Sequence, residues 1–231
     1  MARLPAKPKI ALLRVLGIDP ACTGPTGYAV IETDPEDSGR CRALRYGAWR
    51  PARGASLAGR LRDIHKLVAG LVAEFAPGAV AVESVFAALN VRTALQLAEV
   101  RGVVMLAAAE GDIPVKSYSP REVKASLTGY GQASKEQMQE MVRSHLCLAE
   151  RPEPSDAADA LAIALCHIQA ERAQARMAVA TMPGVHAPRA TSGAIAQALP
   201  AAQAKSVAAP QVSRAGGGSR GVRIPVQGIQ K

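Results

Sequence analysis

Four carboxylates in this chain of 231 residues occupy positions where an acid is costly or conspicuous. Asp19 closes the apolar run Leu12-Leu13-Arg14-Val15-Leu16-Gly17-Ile18, and Glu83 closes Ala79-Val80-Ala81-Val82. A charge at the rim of a core is expensive to desolvate unless something compensates it. Taken singly, each also reads as a solvated strand-end acid. The other two lie in Pro154-Ser155-Asp156-Ala157-Ala158-Asp159-Ala160-Leu161-Ala162. Ser155 is predicted to cap a helix, which puts Asp156 and Asp159 in its first turn, three apart and on one face. Acids there also complement the helix dipole. Ala157, Ala158, Ala160 and Ala162 are all small, so the helix can approach a sheet closely and bring its two acids to the strand-end pair.

Four converging carboxylates repel one another unless cations lie between them. An all-oxygen donor set suits Mg²⁺ or Mn²⁺ and not zinc. Two such ions can activate a water and stabilise the leaving oxygen of a phosphodiester. That is the chemistry these residue types imply.

The elements that must position them alternate along the chain. Leu13–Asp19, Tyr28–Thr33 and Arg42–Trp49 read as three strands with short connections, hence an antiparallel meander. Leu57, Leu61, Ile64, Val68, Leu71 and Phe75 recur at helical spacing, and Pro77-Gly78 stops that helix. Ala79–Glu83 is a short buried strand, Val91–Glu110 a helix closed by Gly111, and Val115–Tyr118 a last strand. Further helices start at Pro120, Ser134 and Ser155. The fold class is α/β, with a five-stranded mixed sheet: three antiparallel strands, then parallel strands, flanked by helices.

Composition changes near residue 172. The segment after Glu171 holds eight Lys or Arg and no acid, leaving 20 basic and 19 acidic residues before it. Residues 1–10 read as a flexible lead, 11–176 as the folded domain, and 177–231 as a basic tail too poor in apolar periodicity to offset its ordering entropy. The net charge of +9 is compatible with a polyanionic partner such as nucleic acid, although basic tails also occur without one. No apolar stretch is long enough to span a bilayer, and the protein is expected in the cytoplasm. Cys22, Cys41, Cys147 and Cys166 are scattered without metal-ligand spacing and read as reduced core thiols.

Several of these segments together carry a family resemblance. Gly17-Ile18-Asp19-Pro20 with Thr26-Gly27-Tyr28, Val82-Glu83-Ser84-Val85-Phe86, and Asp156-Ala157-Ala158-Asp159-Ala160-Leu161-Ala162-Ile163-Ala164 resemble the signatures of the RuvC family of Holliday-junction endonucleases. Asn90 with Ala94-Leu95-Gln96-Leu97, Arg101-Gly102-Val103, Val123-Lys124, Gly129-Tyr130-Gly131, Lys135 and Met141-Val142-Arg143 extend the match in order from about 14 to 170.

The resemblance implies an RNase H-like fold and a structure-selective nuclease acting in recombination and repair. It implies Asp19, Glu83, Asp156 and Asp159 as catalytic metal ligands for two Mg²⁺ ions, with Mn²⁺ as a substitute, and Asp19 as the best placed to bridge them. It further implies a homodimer making paired nicks in a four-way junction, ends with 5′-phosphate and 3′-hydroxyl, and the branch-migration proteins RuvA and RuvB as partners.

Under the same resemblance Lys124 and Lys135 face junction phosphates, and Phe86 stacks on a base at the junction core. Solvated surface lysines and a packed core Phe are the plainer readings. One departure stands out: Ala21-Cys22-Thr23-Gly24-Pro25 follows Asp19-Pro20 where the family has Gly and a turn shorter by one residue. Two alternatives remain at this point. One is a DNA-binding protein of the same fold without cleavage; the other is an ATP-binding protein of the actin and sugar-kinase type, which needs two copies of such a fold.

Overall fold

Period-two alternation builds the sheet. In the computed structural model, which describes residues 12–34, 37, 39–84 and 90–180, β1 (Arg14–Asp19), β2 (Thr26–Thr33) and β3 (Cys41–Trp49) form the antiparallel meander. α1 (Leu57–Phe75) crosses to β4 (Ala79–Glu83), and α2 (Val91–Glu110) to β5 (Val115–Tyr118). α3 (Pro120–Thr128), α4 (Lys135–His145) and α5 (Ser155–Ala180) complete the described chain. The strand order is β3-β2-β1-β4-β5, with β4 parallel to β1 and β5 parallel to β4. The sheet is the mixed five-stranded one expected. β2 starts at Thr26, two residues before Tyr28, because its ladder with β3 continues to Thr26 opposite Trp49.

Each face of the sheet has its own core. Leu16, Ile18, Val30, Val80 and Val82 meet Ile64 and Val68 of α1 and Val100 and Val104 of α2. Val15, Ala29, Ile31 and Ala81 meet α3, α4 and the almost wholly buried Ala160–Cys166 stretch of α5. A helix apolar all round must be covered on all sides, and α5 is: the sheet lies on one flank and α3 and α4 on another.

Local signals set most helix ends. Ser56, Asn90, Ser119 and Ser134 accept hydrogen bonds from backbone N–H groups three residues on, and the last two form full capping boxes with Glu122 and Gln137. α1 ends with Ala76 at φ 44°, a left-handed cap just ahead of Pro77, whose ring disfavours another helical residue before it. Ser155 does not cap α5 as expected. It is the first helical residue, and the Pro154 carbonyl accepts from Ala157 and Ala158 instead. α5 also runs past 176, where the body was expected to end, as far as Ala180. Of the four cysteines, all free thiols, only Cys166 is buried; Cys147 is exposed.

Candidate active site

Alternation fixes where the strand acids point. Gly17 lies under α5, Ile18 faces α1 and α2, and Asp19 therefore returns to the α5 side. In β4, Ala81 faces α5, Val82 faces away, and Glu83 returns. Ile18 pairs with Val82, so the two acids end neighbouring parallel strands at one level and on one face. α5 lays its first turns over this spot. It comes close because Gly17 and Gly27 leave room: a Cβ at Gly17 would lie 2.2 Å from the Ala160 carbonyl oxygen.

Asp19 senses the other three acids. The Asp19 carboxyl is pushed up to about 8, first by burial, then by repulsion from Glu83 and Asp159, by a hydrogen bond shared with Glu83, and by Asp156. Glu83 is also raised, again chiefly by burial; the hydrogen bond from Asp19 opposes the rise, Asp159 adds to it, and the nearby Lys124 charge lowers it. Without a cation a proton is favoured at Asp19, where it can be donated to Glu83. Asp19 feels all three other acids, as a residue at the centre of the group must.

The two lysines complete the electrostatics. Lys135 Nζ stands 3.1 Å from Asp159 Oδ2. Glu83, Asp159, Lys124 and Lys135 line one cleft of about 250 Å³ walled by Val123 and Met138. Both lysines therefore face the acids, which their spacing in the sequence did not reveal. Phe86 lies outside the described residues. A larger cleft, of about 550 Å³, lies at the other end of β2 and β3 beside Glu32, Arg40, Cys41, Arg42 and Cys147. It holds none of the four acids, and its Glu32 is neutralised by Arg14 and Arg42 at 2.6 and 3.0 Å.

The cluster is not a ready-made ligand shell. Among the described residues, no three His, Cys, Asp or Glu side chains stand so that they could hold a metal ion as they are. The donor set nevertheless fits a hard divalent cation. It is all oxygen, it repels itself strongly enough to retain a proton at Asp19, and it already draws the ammonium of Lys135 onto Asp159.

The glycines under α5 escaped sequence reasoning, and so did a buried pair beneath β5. His167 is 2% exposed, and its Nδ1 lies 2.7 Å from the Tyr118 hydroxyl, a structural role within the core. Arg60 reaches the turn after Asp19, donating from a guanidinium nitrogen to the Gly24 carbonyl at 3.5 Å.

Comparison with known proteins decides the family. Residues 15–167 match the family model described as crossover junction endodeoxyribonuclease RuvC. The chain belongs to the RuvC family. A RuvC of Natranaerobius thermophilus is 42% identical over 163 residues, 71% of this chain and 99% of that protein. A RuvC of Salinispora arenicola is 46% identical over 169 residues, 73% of this chain and 94% of that protein. A solved Thermus thermophilus RuvC in complex with Holliday junction substrate superposes with a TM-score of 0.66 at 36% identity, covering 70% of this chain and 96% of that one. The architecture is accordingly the RNase H-like fold of the RuvC resolvases, and the enzyme is a crossover junction endodeoxyribonuclease. Dependence on a divalent metal ion goes with membership of the family.

Proposed function

We propose that this RuvC-family member resolves four-way DNA junctions by paired nicks, using Asp19, Glu83, Asp156 and Asp159 to hold Mg²⁺, two ions per site, with Mn²⁺ able to substitute. The observation that carries this reading is geometric: Asp19 and Glu83 end neighbouring parallel strands on one face of the sheet, directly beneath the first turn of α5 that bears Asp156 and Asp159. A divalent ion bound there polarises the scissile phosphate and offsets the charge that develops as the bond breaks.

The residues do the rest. Asp19, between β2 and β4 and sensed by all three other acids, joins the strand pair to the helix pair. Lys124 stands beside Glu83 and offers a positive charge to a phosphate entering the cleft. Lys135 neutralises part of the cluster before metal arrives and adds a second charge at the same mouth. Phe86, in the segment after β4, is proposed to stack on a junction base. The products are 5′-phosphate and 3′-hydroxyl ends.

Two symmetric nicks require two sites, and α2 supports a homodimer. Its exposed face carries Val91 (76%), Leu95 (61%), Met105 (43%) and Leu106 (54%) with Ala98, Gly102 and Ala109 exposed between or beside them. Positions 91, 95, 98, 102, 105 and 109 follow alternating steps of four and three, the seam of two helices packed against each other. RuvA and RuvB are proposed partners by family. The site of action is proposed to be the cytoplasm; among the described residues no helix is long and apolar enough to cross a membrane.

A synthetic four-way junction with each strand labelled separately tests the reading. Symmetric nicks in two opposed strands with Mg²⁺, and none with EDTA, are expected. Binding without magnesium-dependent nicking would instead support a non-catalytic junction binder.

A further inference from the structure

We propose that Gly27 is the spacer between the strand acids and the helix acids, and that its missing side chain lets the two pairs draw close enough around a bound ion to take the small Mg²⁺ in preference to larger divalent ions. The inference rests on the metal-ligand reading of the four acids and adds to it a residue that bears no charge and no side chain.

Gly27 is the register partner of Asp19 across the β1–β2 ladder, so the two residues stand side by side on one face of the sheet. Directly over that spot lies the first turn of α5. A Cβ at position 27 would lie 2.0 Å from the Asp156 carbonyl oxygen, 2.6 Å from the Asp156 carbonyl carbon and 3.3 Å from Asp19 Cβ. Both closest atoms are backbone, so no rotamer change relieves the overlap. The helix itself has to lift, until a separation of 2.0 Å reaches the 3.4 Å of ordinary contact. The peptide that lifts belongs to Asp156, and Asp159 follows one turn on.

A second notch makes the motion a tilt. At Gly17, a Cβ would lie 2.2 Å from the Ala160 carbonyl oxygen and 2.9 Å from Ala164 Cβ, so α5 is seated on β1 as well, further from its start. With Gly17 intact and residue 27 enlarged, the helix pivots on the Gly17 seat and swings Asp156 and Asp159 away from Asp19 and Glu83. Mg²⁺ demands short, nearly octahedral oxygen contacts, whereas Ca²⁺ accepts longer and less regular ones. A widened cluster therefore loses Mg²⁺ first.

Calorimetric titration of the full-length protein with MgCl₂ or CaCl₂, in the absence of DNA, tests this. In Gly27→Ala the Mg²⁺ affinity is expected to fall by about tenfold or more, the range typical of changes just outside a ligand shell. Ca²⁺ affinity is expected to fall far less, so that the preference narrows or inverts. Val68→Ala, in the core on the other face of the sheet, should lower the melting temperature without altering the ratio of the two affinities. Unchanged affinities in folded Gly27→Ala, or an equal loss for both ions, would overturn the spacer role.

Should Gly27→Ala not fold, Ala157→Val applies a milder wedge in the same fully buried first turn of α5 and must show the same selective loss of Mg²⁺. An unchanged ratio there overturns the proposal equally. Failure of the underlying reading looks different: wild-type protein would then bind neither ion, or Asp19→Asn would bind both as wild type does.

Discussion

Lys135, the first residue of α4, holds its ammonium 3.1 Å from a carboxylate oxygen of Asp159 on α5. The positive charge nearest the helix acids is thus supplied by the protein, on an arm that is half exposed and free to leave. Lys135 is 52% and Asp159 36% exposed, and a pair so open to water is held by only about 0.2–1 kcal/mol.

That weakness sets the size of the first prediction. Lys135→Gln removes a competitor for Asp159, so the Mg²⁺ concentration needed to raise the melting temperature should drop by at most about fivefold, the factor that the upper end of such a pair energy corresponds to. Nicking should fall nonetheless, because a phosphate at the cleft loses a positive charge. A variant that bound Mg²⁺ more weakly than wild type would show that Lys135 supports the ligand set and does not compete with it.

Asp19→Asn separates binding from cutting. It removes one charge and one oxygen donor but little volume, so junction binding should persist while magnesium-dependent nicking falls by about a thousandfold or more. The same variant should be more stable than wild type in EDTA at neutral pH, since burial and three neighbouring acids oppose the charge on Asp19. Thermal melts with and without EDTA read this directly. A less stable Asn variant in EDTA would mean that the acids do not repel as described.

The acids could be read from the sequence because what places them is local. An apolar alternation ending in an acid fixes the face of Asp19 and Glu83, and a three-residue step fixes the face of Asp156 and Asp159. The small residues of α5 also announced a close approach to the sheet, and Ala157 and Ala160 are indeed fully buried. What receives them was not legible. Gly17 and Gly27 look like turn or motif glycines until the α5 backbone is seen above them, a contact between segments more than a hundred residues apart.

For the same reason the partners of Lys124 and Lys135 stayed hidden, as each depends on how α3 and α4 lean on α5. Ser155 misled because Ser-Asp-Ala-Ala is a good capping pattern, while Pro154 one position earlier supplies the accepting carbonyl. The reach of α5 to Ala180 is not written in an apolar period, since residues 171–178 are only partly buried or exposed.

Acid sensitivity should trace to His167. Burial holds its imidazole below the usual range, with Tyr118 bonded to Nδ1. The unfolded chain takes up a proton as pH falls through about 6.5, whereas the folded protein refuses it until a lower pH. The His167 contribution to stability is therefore flat above that point and declines on acidification down to the depressed folded value, while the raised Asp19 carboxyl acts in the opposite sense in metal-free protein. His167→Asn keeps a polar atom near the position of Nδ1 and carries no titration, so its melting temperature should fall less between pH 7.5 and pH 5.5. An identical decline in both proteins would assign the effect to other groups.

The α2 seam yields the last prediction. Leu95 is 61% exposed in the single chain and sits one step from Val91 and Ala98 along the apolar line. Burying a leucine of this kind against a second copy contributes roughly 1.5–3 kcal/mol, and Leu95→Glu replaces that gain with a charge facing its own symmetry mate. Sedimentation should find wild type as a dimer and the variant as a monomer with unchanged helix content, since position 95 lies outside both cores. Junction cleavage by the variant should lose its pairing, with nicks appearing in one strand at a time. A dimeric Leu95→Glu would move the interface to another face of the molecule.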